Sequence, residues 1–181
     1  VRVHREAGHS DSRVIAKRTE VWRSSFLAQE VTVARWGEDG RPVLLFPTAG
    51  GDAEEVERFR MVDALAPLVR AGRIQLFSCD SVPGQCWVSD AYPASHCSWV
   101  QNRFDEFLYF ELAPYMRHLA GERNEILTAG ASLGAFYALA AVCRHPDVFS
   151  HAVCMSGKYD LEEMLEGERM SLDFYYSSPL H

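Results

Sequence analysis

No stretch of the 181 residues approaches the ~18 consecutive apolar positions that a membrane span needs, so no membrane partnership is expected. Clusters of lysine and arginine are also missing, and the net charge is −7, which argues against nucleic acid or an anionic surface as partner. The five cysteines, Cys79, Cys86, Cys97, Cys143 and Cys154, are odd in number and include no C-x-x-C pair. Neither a disulfide framework nor a zinc site is suggested, and a reducing, cytoplasmic setting is expected. Cys143 and Cys154 fall in apolar runs and read as buried, inert thiols. The seven histidines have no metal-ligand spacing, so no metal is expected. No signal-peptide pattern opens the chain, though a first residue of Val1 rather than methionine leaves a removed leader open. Repeats and low-complexity tracts are absent. What remains is an ordinary globular composition, 48% hydrophobic and 24% charged, long enough for one domain with a real core.

Along the chain, residues 1–20 are polar without a periodic apolar face and read as an N-terminal arm, with a single domain over 21–181. EVTVARWG alternates like a strand, and GEDGRP after it supplies turn chemistry. PVLLFP and RIQLFSCD are continuous apolar runs of the kind buried on both faces of a sheet. DAEEVERFRMVDALAPLVRAG and NRFDEFLYFELAPYMRHL have helical periodicity, the first with an acidic opening turn and a glycine past its end. NEILTAG, a further helix and SHAVCMSG follow. Strands alternating with helices imply a mostly parallel sheet covered on both faces. Ligands in such sheets bind beyond the carboxyl ends of the strands. The loops there are TAGGD (48–52), DSVPGQCW (80–87), GKYD (157–160) and the one containing Ser132.

That last loop carries the chemistry. TAGASLGAFYALA, residues 128–140, places Gly130, Ser132 and Gly134 at alternate positions between a strand-like run and an Ala- and Leu-rich helical run. G-x-S-x-G at a strand-to-helix joint is the nucleophile-elbow pattern. Thrusting a serine hydroxyl out of so tight a bend strains the serine backbone. It also leaves no room for a Cβ two residues to either side, which is why glycine stands at both places. The N–H of Leu133 then falls at a helix N-terminus, where negative charge is favoured. The bland alternative is a small-residue stretch for close helix–strand packing, but the strand before and helix after favour the elbow.

The blocks VWRSSFLAQEVTVARWGEDGRPVLLFPTAGG, RIQLFSCDSV with Trp87, FLYFELAPYMR, GASLGAFYALAAVCRHPDVF and MSGKYDL, in that order, resemble the putative esterase family of α/β-hydrolases. Esterase D-type and acyltransferase members belong to that family, and the likeness is closest to a bacterial branch of it. It runs from about Val21 to the end. It implies an α/β-hydrolase fold and a carboxylic ester hydrolase that uses Ser132 through an acyl-enzyme. The expected partner is a small-molecule ester, and no cofactor is required. Leu133 supplies one oxyanion donor; the other is expected from the loop after the third strand. Ala49 is the choice there, with Gly50 as neighbour. Trp87 and Asp80 are candidates to line the substrate pocket, whereas Asp52, just before AEEVERF, reads as a helix cap.

The histidine is harder to place. The triad partners follow in chain order Ser, Asp/Glu, His, and only His145, His151 and His181 lie beyond Ser132. His145 and His151 belong to the opposite rim, and His181 is the last residue with nothing after it to hold it. The resemblance implies eight strands, with acid and histidine after the seventh and eighth, whereas the chain ends shortly after the sixth. The expectation is therefore a sequence truncated before its acid and base. The exposed apolar edge of HAVCMSG that results would favour a homo-oligomer or some other cover. Alternatives are Asp160 as acid with a base from a partner subunit, a non-catalytic hydrolase-like binding protein, and an acyltransferase using the same nucleophile.

Overall fold

The computed structural model describes residues 14–121, 125–165 and 167–181. These form a six-stranded sheet in the order β1-β2-β4-β3-β5-β6. The strands are β1 (Lys17–Arg23), β2 (Glu30–Trp36), β3 (Arg41–Phe46), β4 (Ile74–Cys79), β5 (Ile126–Ala131) and β6 (Phe149–Met155). β2 pairs antiparallel with both β1 and β4, and the remaining pairings, β4–β3, β3–β5 and β5–β6, are parallel. The mostly parallel α/β sheet expected from the alternating pattern is therefore what forms.

Alternation of side chains along the central strands decides the two layers. Val43 and Leu45, with Ala34, Trp36 and Leu76, pack under α1 (Glu55–Arg58) and α2 (Met61–Arg70). Leu44 and Phe46, with Val31, Val33 and Phe77, face the larger core. That core is closed by α3 (Val82–Trp87), α4 (Ala94–Phe107), α5 (Ala113–Ala120), α6 (Leu133–Arg144) and α7 (Leu172–Ser177). β6 is the outer strand, and its Val153 is 60% exposed, so both an edge and part of a face are open there. No helix among the described residues is long and apolar enough to cross a membrane.

Several elements differ from the sequence expectation. β1 begins at Lys17, so residues 17–20 belong to the sheet rather than to an arm, while residues 1–13 lie outside the described residues. Six of the seven β1 residues are exposed, so the strand has no apolar alternation to betray it. The helix expected over 52–72 is two, broken where Arg60 takes φ +65°. Its neighbour starts at Ala94 rather than Asn102 and passes through a π-turn, Leu108–Leu112, before α5. Residues 82–87, read as loop, are the short helix α3. Cys143 is exposed and Cys154 half-buried, contrary to the inert-thiol reading, whereas Cys79, Cys86 and Cys97 are the buried ones. α6 is apolar nearly all round only up to Ala141, and its last turn emerges from the core.

Candidate active site

Ser132 stands where β5 gives way to α6, with φ 55° and ψ −120°. A non-glycine residue adopts such a conformation only when its surroundings enforce it, at a cost of about 1–3 kcal/mol. The enforcement is visible. Ser132 N–H donates to the Met155 carbonyl at 3.0 Å, and the Ser132 carbonyl accepts from Ala135 N–H at 3.1 Å and Lys158 N–H at 3.3 Å. The two glycines have a steric reason. A Cβ on Gly130 would lie 2.3 Å from the Gly134 carbonyl, and one on Gly134 would lie 2.5 Å from the Pro47 oxygen and 2.6 Å from that of Phe46. Strand, elbow and the end of β3 are thus pressed together without side chains between them. Ser132 is exposed, and among the described residues nothing hydrogen-bonds its hydroxyl.

The loop after β3 is level with this serine. Phe46 pairs with Gly130 in the parallel register, so Thr48 and Ser132, two residues further on each strand, share the carboxyl-end rim. Gly51 N–H donates to the Thr48 carbonyl at 3.1 Å, with Gly50 at φ +76° in the third position. That is the pattern of a type II turn, which glycine adopts without strain. Ala49 and Gly50 are exposed at its tip, and their N–H groups have no protein acceptor among the described residues. Leu133 opens α6, so its N–H has no acceptor within the helix. Three unused donors therefore belong to the two segments that flank one exposed hydroxyl.

The remaining candidates have other places. Asp80 accepts from Thr32 N–H at 2.7 Å through one carboxylate oxygen and from Ala53 N–H at 3.0 Å through the other. It ties β2 to the start of the α1 segment rather than lining a pocket. Trp87 is 9% exposed, donates its indole N–H to Gln101 at 2.9 Å and meets Phe174 edge-on, so it is core. Asp52 orders the turn ahead of α1 instead of capping the helix, whose N-cap is Glu54 without a side-chain cap bond: it accepts from Glu54 N–H at 2.9 Å and pairs with Arg58, whose hydrogen bond holds the Asp52 carboxyl below its usual value. Asp160 is exposed, with one oxygen accepting from Glu162 N–H at 2.9 Å.

No described histidine reaches Ser132. His145, at the far end of α6 (about 18 Å at 1.5 Å per residue), joins Arg144 on Asp105 and stacks on Tyr109. His151 is level with Leu127, five residues back along β5. His181 is held, contrary to expectation: it stacks on Tyr175 and lies 3.7 Å from Glu162. Ser132, Glu162 and His181 run in the chain order of a triad, yet neither partner touches the serine. One residue that the sequence pattern does not single out is Glu55, a buried carboxylate beneath the 48–51 loop. Its only signal in the sequence is an acidic residue four places after Gly51.

No curated protein matches the chain by sequence. Solved structures do share its fold. A ferulic acid esterase from the anaerobic fungus Anaeromyces mucronatus superposes with a TM-score of 0.68 at 14% identity, over 93% of this chain and 69% of that one. An S-formylglutathione hydrolase from Agrobacterium tumefaciens gives 0.66 at 14%, over 91% and 69%. The S-formylglutathione hydrolase FrmB of Staphylococcus aureus gives 0.58 at 11%, over 92% and 69%. The chain therefore spans about 69% of the length of these three proteins. At such identities the likeness speaks for the α/β-hydrolase fold alone. The family profile described as "Putative esterase" matches residues 50–174, well over half of the sequence and including the whole elbow. On that match, the chain belongs to the putative esterase family.

Proposed function

We propose that the chain is a serine hydrolase of carboxylic esters, with Ser132 as nucleophile. The observation that carries this reading is the exposed Ser132 hydroxyl on a backbone held at φ 55°, ψ −120° between two glycines that have no room for a Cβ. Ser132 Oγ attacks the carbonyl carbon of a small ester, the C–O bond to the alcohol breaks, and the acyl group stays on Ser132 until water removes it. The tetrahedral oxyanion is received by Leu133 N–H from the helix and by Ala49 N–H, with Gly50 beside it, from the loop after β3. Donors of this kind contribute ~10²–10³ in rate each. An alcohol intercepting the acyl-enzyme in place of water would make the same site an acyltransferase. Serine is a weak nucleophile without a base, and none of the described histidines supplies one.

That last observation favours a second reading, a binding protein that keeps the fold without turnover. Hydrolysis of p-nitrophenyl acetate and butyrate separates the two. Turnover by the wild type, abolished in Ser132→Ala and stimulated by added imidazole after subtraction of the Ser132→Ala rate, supports the hydrolase with an unfilled base position. Labelling of Ser132 by a fluorophosphonate probe supports it independently. Equal rates for wild type and Ser132→Ala, with and without imidazole, and no labelling would refute it.

A further inference from the structure

Glu55 is 5% exposed, which is unusual for a carboxylate so near the rim. One of its oxygens accepts both the backbone N–H of Thr48, at 3.3 Å, and the Thr48 hydroxyl. The other oxygen is buried and has no partner among the described residues. A half-satisfied buried carboxylate costs about 1–3 kcal/mol, so a sequence that keeps one obtains something for it. The space it occupies is reserved by an absent side chain: a Cβ on Gly51 would lie 1.4 Å from that second oxygen and 2.7 Å from the Pro47 Cβ. The opposite side of the turn is clamped by Ser81 N–H, which donates to the Gly51 carbonyl at 3.0 Å, and by the Gln85 amide at 3.4 Å. Gly84 closes against the tip, where a Cβ would come within 3.2 Å of Gly50 N and 3.3 Å of the Ala49 Cα.

We propose that Glu55 is the positioning residue of the oxyanion loop: its carboxylate grips Thr48 from below and so aims the Ala49 and Gly50 N–H groups at the carbonyl under attack by Ser132. This rests on the hydrolase reading. The grip anchors the first residue of the turn while Ser81 and Gln85 anchor the last, leaving only the two donors at the tip free. Shape and hydrogen bonding, not charge, are what the role requires, because a glutamine oxygen can accept from Thr48 equally well.

The test compares wild type, Glu55→Gln, Glu55→Ala and Gly51→Ala in the full chain by two measurements. Amide hydrogen exchange reads the loop directly. Exchange at Thr48 is expected to be at least tenfold faster in Glu55→Ala than in wild type or Glu55→Gln, with the β3 and β5 amides unchanged. Turnover of p-nitrophenyl acetate, normalised to serine labelled by fluorophosphonate, reads the consequence. Glu55→Ala and Gly51→Ala are expected to lose about 10²-fold in kcat with KM within about threefold, since donor displacements near 1 Å carry that penalty. Glu55→Gln restores kcat, and the Glu55→Ala/Gly51→Ala double variant loses no more than either single one. A merely structural glutamate would lower the folded fraction and leave kcat per labelled serine intact, which would overturn the proposal, as would unchanged Thr48 exchange in Glu55→Ala. If the wild type shows neither Ser132-dependent turnover, with or without imidazole, nor labelling, the hydrolase reading falls and the catalytic purpose of the grip with it, while exchange still decides whether Glu55 holds the turn.

Discussion

Replacing Gly134 by alanine sets two effects against each other. Gly134 lies in the first turn of α6, where alanine is favoured over glycine by about 0.5–1 kcal/mol. Against that, the new Cβ would lie 2.5 Å from the Pro47 oxygen, 2.6 Å from the Phe46 oxygen and 3.2 Å from the Phe46 carbonyl carbon. The two oxygens lie about 1 Å inside comfortable van der Waals separation. They are also backbone atoms, and Phe46 is fixed by the pairing of β3 with β5. No rotamer change relieves the overlap, so α6 must move off the sheet, and overpacking of this kind costs about 1–3 kcal/mol or somewhat more. The clash wins, for a net loss of about 1–2 kcal/mol, and for a chain of this length a thermal midpoint lower by about 2–8 °C. Urea unfolding followed by circular dichroism at constant m-value measures it. Gly167→Ala is the control: φ is +86° but no atom among the described residues lies within 4 Å, so only the conformational cost of about 1–2 kcal/mol applies. A Gly134→Ala variant as stable as wild type, or more so, would refute the close contact of elbow and β3.

Ser132→Gly and Ser132→Ala both remove the hydroxyl, but only glycine relaxes the positive φ, so Ser132→Gly should be the more stable by about 1 kcal/mol or more in the same urea assay. Asp80→Ala orphans the N–H groups of Thr32 and Ala53 and should destabilise by about 2–4 kcal/mol; a change under about 0.5 kcal/mol would show that the carboxylate does not join β2 to the α1 segment. Ellman's reagent at about pH 8 should titrate Cys143 at once in the folded protein, and Cys79, Cys86 and Cys97 only after unfolding, burial pushing the Cys97 thiol up to about 12. The Arg58 hydrogen bond that lowers the Asp52 carboxyl stabilises the fold above about pH 4, and this contribution fades as pH falls through the carboxylate range. Asp52→Asn should therefore flatten the acid limb of a stability–pH profile.

The elbow is legible in the bare sequence because Gly130, Ser132 and Gly134 fall within one short stretch of chain at the strand-to-helix joint. Gly130 is required locally, by the Gly134 and Ala135 backbone, whereas the atoms that forbid a Cβ on Gly134 belong to Phe46 and Pro47 at the end of β3. The partners of Asp52 are local too, lying within six residues, but they make a turn ahead of α1 and not the helix cap that the sequence suggests. The buried runs of β3 and β4 announce a parallel sheet. Trp87, by contrast, reads identically as pocket wall or core, and only Phe174, 87 residues away, and Gln101 decide for core. Asp80 looks free on its rim until Thr32, 48 residues earlier, folds onto it. Glu55 passes for one more acid in a helical first turn until β3 and the following loop close over it. A short local pattern thus marks where strand becomes helix and which hydroxyl that bend exposes, and a linear string of residues is enough to show both, although β3 and the end of β6 complete the enforcement. Which carboxylates and rings serve the site and which serve the core is set by the folded chain, because their partners arrive from segments that no local pattern connects.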